Sequence, residues 1–417
     1  MSEAKSMRPL LYIILLNAIG AALISIANGA FNPEALMLTG AICLVSLISY
    51  MMVSLAGFGD PYLFLIISVL GSVGGIMQLR IRTAYGIRQL KWFLLGTACY
   101  FVAMAMFMFL NRLLPKLTWL YFGLSVALFA ATLIFGTTSH GSRNWIIIGG
   151  EGSGLSIQPS ELIRIFFVLA LAAIFTSEPR EGLRLRPNAV RLLSASGVTV
   201  VCLLFLLLQR EWGITLLFFM TYFFFIYVYG ASRGYLLLNA AAAVVVGAFG
   251  VTHMSHIQTR VEIWLHPFAD ASSKGYQITQ SLFAIGEGGF GGRGIGAGSV
   301  YFIPEVHSDF IFSAICEEMG ILGGLAIVML YFVLAYRGFK IALSCTNKFN
   351  KAVAFGLSFM LGLQTFIIIG GVTKMIPLTG ITLPFVSYGG SSMLTTFAAY
   401  GILQAISAIK EEITDEL

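Results

Sequence analysis

The sequence predicts an all-α fold, a polytopic bundle of about twelve transmembrane helices, and two observations lead to that class. Of the 417 residues, 58% are hydrophobic and only 11% are charged, whereas soluble domains carry about 25% charged residues. The apolar residues are gathered into repeated runs of roughly 20, the length that crosses a bilayer as a helix. A membrane β-barrel would instead alternate apolar and polar residues in stretches of about ten.

The predicted spans follow one another along the whole chain, separated by polar connections of unequal length. They lie at 9–28, 35–56, 61–79, 92–110, 117–137, 158–177, 192–208, 213–230, 234–254, 310–336, 352–372 and 389–409. An even number of spans puts both termini on one side of the membrane. Lys and Arg favour that side by 14 to 11, so the positive-inside rule predicts cytoplasmic termini.

Polar, glycine-rich sequence is concentrated in the loops that this topology places outside. The longest is an extracellular loop near 255–309, and segments 137–157 and 373–390 are shorter examples. Long loops that retain apolar and aromatic residues are typical of functional sites rather than of disorder. The outer face is therefore the predicted active face. Four external cations in "RIRTAYGIRQLK" (80–91) either contradict this topology or hold a phosphate.

The net charge of +6 does not indicate a nucleic-acid partner, because the basic residues are scattered between spans rather than gathered in a basic domain. Anionic membrane lipids or a phosphate-bearing substrate fit that distribution better. The five cysteines show no paired spacing and read as small apolar residues.

The stretch "IPEVHSDFIFSAICEEMG" (303–320) places four acids and a histidine at the mouth of an apolar run. A helix beginning at Pro304 would align Glu305, Asp309, Ser313 and Glu317 in one polar stripe. Acids at membrane depth face a cavity or a partner. Asp309 is the candidate general base, and ion pairing or helix capping is the structural alternative.

Other motifs supply candidate substrate contacts. In "QPSELIR" (158–164), Glu161 and Arg164 lie on one helix face, and a structural ion pair and a substrate contact both remain open. Arg143 in "GSRNWI" can hold a phosphate or a carboxylate. Loop cations Arg260, Lys274, Arg293 and Lys374 are ligand contacts or plain surface charges. The proline-broken segment 377–392 is expected to line a cavity.

Six segments, taken in order, resemble the SEDS family of RodA/FtsW/SpoVE-type peptidoglycan polymerases over about 61–410. They read "YGIRQLKW", "GSRNWI", "QPSELIRI", "GYQITQSLFAIGEGGFGGRGIG", "IPEVHSDFIFSAICEEMG" and "PLTGITLPFVSYGGSS". The resemblance implies a ten-helix core and an essential aspartate at Asp309, with Glu305 and His307 in the same motif. Residues 1–57 then form an additional N-terminal transmembrane hairpin, and 58–417 form the glycosyltransferase membrane domain.

The chain departs from the family pattern in three places. "QREWGI" (209–214) stands where QPDxGT is usual, His266 replaces an acid, and a lysine before the PE element is absent. These departures leave the fold and the class intact but bear on how the donor is bound.

The resulting hypothesis is an inverting glycosyltransferase that polymerises lipid II on the outer face of the bacterial cytoplasmic membrane. Asp309 is the catalytic residue. The predicted substrate-binding residues are Arg88, Lys91, Arg143, Glu161, Arg164, Arg260, Arg293, Glu305, His307, Lys374 and Ser387. No cofactor is assigned, and a divalent cation, Mg²⁺ or Mn²⁺, is left open.

The resemblance also implies partners, namely the growing glycan strand and a class B penicillin-binding protein that cross-links strands. The rival hypothesis is a transporter or flippase of lipid-linked saccharides, because intramembrane acids and broken helices fit one. No repeat relates the two halves of the chain, and the polar loops lie mostly on one side, which favours the enzyme. A non-enzymatic scaffold would leave the cost of Asp309 unexplained.

Overall fold

The structure, a computed structural model, describes residues 8–27, 29–139, 142–148, 155–177 and 187–409. The helices are α1 (Arg8–Ala27), α2 (Pro33–Leu55), α3 (Pro61–Ile81), α4 (Thr83–Leu110), α5 (Thr118–Phe135), α6 (Pro159–Thr176), α7 (Pro187–Leu208), α8 (Trp212–Val228), α9 (Arg233–His253), α10 (Ser255–Leu265), α11 (Tyr276–Gly288), α12 (Ile311–Ser344), α13 (Lys348–Val372) and α14 (Gly390–Ala408). The strands are β1 (Thr137–Ser139), β2 (Ser142–Ile148) and β3 (Leu155–Ile157).

The all-α membrane bundle is confirmed, and each predicted span falls on a helix. Among the described residues, ten helices are long and apolar enough to cross a membrane. The two remaining candidates are α8, which is apolar but shorter, and α14, which is not among the ten. The count of twelve spans therefore stays a prediction.

Several helices start where local chemistry dictates. Asn32 and Asp60 cap α2 and α3 by accepting backbone N–H bonds, each followed by a proline at the first helical position. Ser232 caps α9 in the same way. Side-chain oxygens satisfy N–H groups that a helix start leaves unbonded, and proline has no N–H to lose.

The chain divides into two compact units. Unit 1 comprises Met1–Met104, Glu262–Arg337 and Gln364–Lys410. Its helices α1 and α2 pack on each other and on α3, which is buried along most of its length. An aromatic cluster joins Phe93 and Phe385 to Phe397, with ring centroids 5.4 and 5.0 Å apart. The predicted boundary between 1–57 and 58–417 stays a prediction.

Unit 2 comprises Ala105–Val261, Gly338–Leu363 and Glu411–Leu417. Its core is aromatic. Phe167 of α6 stacks on Phe218 of α8 at 4.5 Å, and Phe224 stacks on Phe359 of α13 at 4.0 Å. Between α5 and α6 the strands form a small antiparallel sheet in the order β1-β2-β3. The sequence predicted only a polar loop there, and residues 140–141 and 149–154 of that loop lie outside the described residues.

The predicted long loop near 255–309 contains two further helices, α10 and α11. After it, α12 runs to Ser344, eight residues beyond the predicted end at 336. The helix is interrupted at Gly320, where φ is 70° and ψ is −174°. The predicted inner loop 178–191 lies, as far as residue 186, outside the described residues.

Candidate active site

Asp309 lies in a tight turn of unit 1 that immediately precedes α12. Glu305 opens the turn in the left-handed region, with φ of 53°. Its carbonyl accepts the N–H groups of Ser308 and Asp309 at 3.1 and 3.2 Å. Glu305 is exposed and Asp309 is half-buried, so the turn presents two carboxyl side chains without sealing them in the core.

The predicted helix from Pro304 is wrong, and with it the continuous polar stripe. Because Glu305 is left-handed, the chain closes a turn there, and the helix begins only at Ile311. Ser313 faces the interior of unit 1, where its hydroxyl is 2.7 Å from that of Ser281. The acids of the motif thus belong to two environments, one in the turn and one within α12.

Backbone contacts from distant segments fix the turn. Gln78 of α3 donates its amide to the carbonyl of His307 at 2.6 Å, and the N–H of Tyr388 donates to the same carbonyl at 2.8 Å. The hydroxyl of Ser387 donates to the carbonyl of Ser308 at 2.6 Å. Ser387 is only 4% exposed, and this bond positions the turn, while its predicted substrate contact stays a prediction.

An aromatic group borders the turn. The His307 ring stacks on Tyr85 at 4.5 Å and lies 5.6 Å from the ring of Tyr388. Nε2 of His307 is 3.7 Å from a carboxyl oxygen of Glu305. Burial lowers the pKa of His307, while the Glu305 charge acts in the opposite direction. The imidazole is therefore held mainly neutral near pH 7, able to donate and to accept a hydrogen bond.

The predicted cations of unit 1 differ in what they offer a substrate. Arg88 and Lys91, near the start of α4, are exposed. Arg293 forms an exposed ion pair with Glu287, so part of its charge is already compensated. Lys374 adopts a left-handed φ of 62°, and its carbonyl accepts the indole N–H of Trp264 at 3.2 Å.

Glu317 and Glu318 have the structural role that the sequence suggested as an alternative. Both are 2% exposed. Arg80, which sequence reasoning overlooked as the partner of Glu318, lies 3.2 Å from it. The N–H of Gly296 donates to Glu318 at 3.1 Å, and the N–H of Ser299 donates to Glu317.

The glycine-rich segment before the turn packs closely against the backbone of α12. The N–H groups of Arg293 and Gly294 donate to the carbonyls of Glu317 and Glu318 at 2.9 and 3.0 Å. A Cβ on Gly292 would lie 2.6 Å from the nitrogen of Gly320. Only glycine permits this approach at the interruption of α12.

In unit 2 the predicted pair in "QPSELIR" is confirmed. Glu161 and Arg164 form an ion pair in which neither side chain is more than 5% exposed. A second acid, Glu211, is 6% exposed and accepts the amide of Gln158 at 2.9 Å. Burial raises the pKa of Glu211, while hydrogen bonds and the Arg164 charge oppose that rise. The burial favours the structural alternative for Glu161 and Arg164.

Arg143 and Arg260 are also in unit 2. Arg143 donates to the carbonyls of Gly136 and Ile134 at 2.8 and 3.2 Å, so it caps the C-terminal end of α5. Arg260 is exposed on α10. The departure "QREWGI" forms the junction between α7 and α8, where Arg210 has φ of 62°. Proline, whose ring fixes φ near about −65°, could not adopt that conformation.

Three similarities to known proteins bear on this arrangement. A family model described as "Cell cycle protein", covering FtsW, RodA and SpoVE, matches residues 62–412. The chain belongs to this family. It is the family that the six ordered motifs resemble, and helices α1 and α2 precede the matched region.

Curated relatives in this family carry enzymatic and developmental names. Peptidoglycan glycosyltransferase RodA of Mycobacterium tuberculosis (strain ATCC 25618 / H37Rv) is 35% identical over 382 residues, covering 84% of this chain and 78% of the relative. Stage V sporulation protein E of Bacillus subtilis (strain 168) is 33% identical over 296 residues, covering 70% and 79%.

Solved structures show the same fold. A chain from "Structural coordination of polymerization and crosslinking by a peptidoglycan synthase complex" matches with a TM-score of 0.70 and 28% identity, covering 84% of this chain and 97% of that one. The crystal structure of Thermus thermophilus RodA matches with a TM-score of 0.60 and 24% identity, covering 84% and 96%.

The sequence motifs pointed to the acids of the site but missed the groups that position them. Gln78 carried a usable signal, since a polar residue in an apolar run marks a buried contact. Glu211, in the segment "QREWGI" that departs from the family pattern, carried the same signal. Among the described residues, no cluster of three or more His, Cys, Asp or Glu side chains is arranged to hold a metal ion.

Proposed function

We propose that this membrane protein is a peptidoglycan glycosyltransferase that polymerises lipid II into glycan strands for the cell wall. Its family membership and relatives named peptidoglycan glycosyltransferase support the activity. The observation that carries the proposal is the turn at Glu305–Asp309, which holds an accessible carboxyl side chain in a backbone fixed from several segments.

In the proposed reaction, Asp309 removes the proton from the 4-hydroxyl of the acceptor sugar. That oxygen attacks the anomeric carbon of the sugar on the lipid diphosphate, and the bond from that carbon to the phosphate oxygen breaks. One glycosidic bond forms, the configuration inverts, and the lipid diphosphate leaves. A positioned general base supplies roughly 10²- to 10⁴-fold in rate.

Positive charge is required where the diphosphate leaves. In unit 1, the exposed Arg88 and Lys91 are the proposed contacts, since they follow Tyr85 by three and six residues on α4. Arg293 offers less because Glu287 already pairs with it. His307, neutral and stacked on Tyr85, is proposed to hydrogen-bond a sugar hydroxyl.

Participation of Mg²⁺ or Mn²⁺ remains a proposal. Glu305 and Asp309 are hard oxygen donors in one turn, and phosphate oxygens of a substrate could complete such a set. A bound divalent cation would there neutralise charge on the diphosphate.

The same proposal implies a location, an orientation and partners for the protein. The chain lies in the cytoplasmic membrane with its termini in the cytoplasm and the Asp309 turn outside, among membrane lipids and next to the growing strand. A similar chain belongs to a complex that couples polymerization to crosslinking. We accordingly propose a class B penicillin-binding protein as the partner.

The test is a product assay with the purified full chain, reconstituted with lipid II and run on a gel. The proposal predicts a ladder of glycan polymer. The rival flippase predicts that fluorescent lipid II crosses the vesicle membrane while no polymer forms. Transport without polymer, with and without the crosslinking partner, would overturn the proposed activity.

A further inference from the structure

The junction between α7 and α8 in unit 2 holds a strained arginine in a fixed position. Arg210 has φ of 62°, a conformation that costs a non-glycine residue roughly 1–2 kcal/mol. Its carbonyl accepts the hydroxyl of Ser142 at 3.2 Å, and the carbonyl of Gln209 accepts the N–H of Arg143 at 3.3 Å. Strand β2 therefore holds the junction, and the Arg210 side chain is exposed. Strain of this kind is concentrated at functional sites.

Two more basic side chains of unit 2, His256 and Arg260, lie four residues apart on one face of α10. His256 of α10 has its ring 6.5 Å from that of Trp212, the first residue of α8. Burial lowers the pKa of His256, and the charges of Arg210 and Arg260 lower it further. Both guanidinium groups are thus within electrostatic reach of the same imidazole.

The group also contains hydrogen-bonding atoms without partners. In the part of the chain that the structure describes, Nε2 of His256 and the indole nitrogen of Trp212 are buried and make no hydrogen bond. An unsatisfied buried polar atom costs about 1–3 kcal/mol. The neighbouring acid, Glu211, is turned to Gln158 and Arg164 in the interior, so its charge is compensated there.

We propose that Arg210, His256 and Arg260, with Trp212 beside them, form a phosphate-binding subsite on unit 2. Arginine forks bind phosphate oxygens bidentately, and ring N–H donors can complete the shell. Arg260 was a predicted substrate contact, whereas the other three are new. The phosphate belongs either to the diphosphate of a second lipid-linked sugar, not the leaving diphosphate given to Arg88 and Lys91, which rests on the proposed function, or to the headgroup of an anionic phospholipid.

The key variant is Arg210→Gly, because glycine accepts a positive φ without strain and removes only the side chain. The full chain is placed in phosphatidylcholine nanodiscs, and its thermal midpoint is recorded while inorganic pyrophosphate is titrated. We expect the variant to fold as well as the parent and to bind pyrophosphate at least about tenfold more weakly. Arg260→Gln is expected to show the same loss.

Arg233→Gln is the matched control, since it removes an exposed arginine of unit 2 at the opposite end of α9. A second arm replaces phosphatidylcholine by phosphatidylglycerol without pyrophosphate. If phosphatidylglycerol stabilises the parent but not Arg210→Gly, the ligand is a phospholipid headgroup. Stabilisation of the parent by pyrophosphate in phosphatidylcholine, without stabilisation by phosphatidylglycerol, identifies the diphosphate as the ligand.

The subsite is overturned if Arg210→Gly and Arg260→Gln bind pyrophosphate and respond to phosphatidylglycerol as the parent does. The glycan product assay is run on the same preparations. If the parent forms polymer and both variants bind anions as the parent does, the subsite is refuted and the proposed function is retained. If the parent forms no polymer but the variants bind anions more weakly than the parent, the proposed function alone is refuted.

Discussion

The Asp309 turn and the Glu161–Arg164–Glu211 cluster contain the same kinds of residue under opposite conditions. In the turn, Glu305 is exposed and Asp309 half-buried. In the cluster, all three charged residues are buried, with Glu161 and Arg164 paired and Glu211 bound by Gln158. A carboxyl group does chemistry only where a substrate can reach it. The difference supports the proposal that the turn carries the reaction and that the cluster stabilises unit 2.

Glu317 and Glu318 sharpen this lesson because they follow Asp309 closely in sequence yet behave like the cluster. They are buried, Glu318 lies beside Arg80, and each accepts a backbone N–H. Accessibility, rather than membership of one acidic motif, separates the catalytic candidate from its neighbours.

Breaking the buried cluster is expected to have the largest effect on stability. Arg164→Ala leaves Glu161 buried without its ion-pair partner, which costs roughly 3–5 kcal/mol. Thermal unfolding in nanodiscs measures the loss. Arg293→Ala is the control, because its pair with Glu287 is exposed and such pairs contribute about 0–1 kcal/mol. Equal losses in both variants would refute the stabilising role of the cluster.

Loosening the turn is expected to have a smaller effect, and on rate more than on stability. Ser387→Ala removes the hydroxyl that bonds the carbonyl of Ser308 and the N–H of Leu383. Leaving such groups unsatisfied costs about 1–3 kcal/mol. Because this cost falls on the conformation of the turn that positions Asp309, we expect polymerisation of lipid II to be roughly tenfold slower. Ser68→Ala is the control, since that hydroxyl donates to the carbonyl of Phe64 in the preceding turn of α3. A parent rate in Ser387→Ala would show that this contact does not position the turn.

The smallest expected effect is a pH dependence from Glu211. Its pKa is raised above the ordinary value of 4.5, so the folded protein binds this proton more tightly than the unfolded chain. Stability then falls as pH rises from about 4.5 through the raised pKa and is level above it. Glu211→Gln removes this fall. The thermal midpoint of the variant, relative to that of the parent, therefore rises as pH increases from about 4.5 through the raised pKa. Parallel curves for parent and variant would contradict the assignment.

The features that the sequence predicted are those with a local signal. Apolar runs of helical length gave the helices, and an i,i+3 spacing gave the Glu161–Arg164 pair. The short strands and helices α10 and α11 were missed because glycine-rich polar sequence obscures periodicity. The conformation of Glu305 was missed because its left-handed φ depends on contacts made elsewhere. The bond from Gln78 to His307 joins residues 229 apart, and no local pattern encodes such a contact.

The most direct test of the division of roles is the rate of glycan polymerisation per folded molecule, measured for Asp309→Asn and Arg164→Ala alongside the parent. Thermal unfolding of each preparation gives the folded fraction. We predict that Asp309→Asn keeps its thermal midpoint and loses about 10²- to 10⁴-fold in rate. Arg164→Ala should lose stability, while its surviving folded fraction works within a few-fold of the parent. Parent-like polymerisation by folded Asp309→Asn would contradict the account.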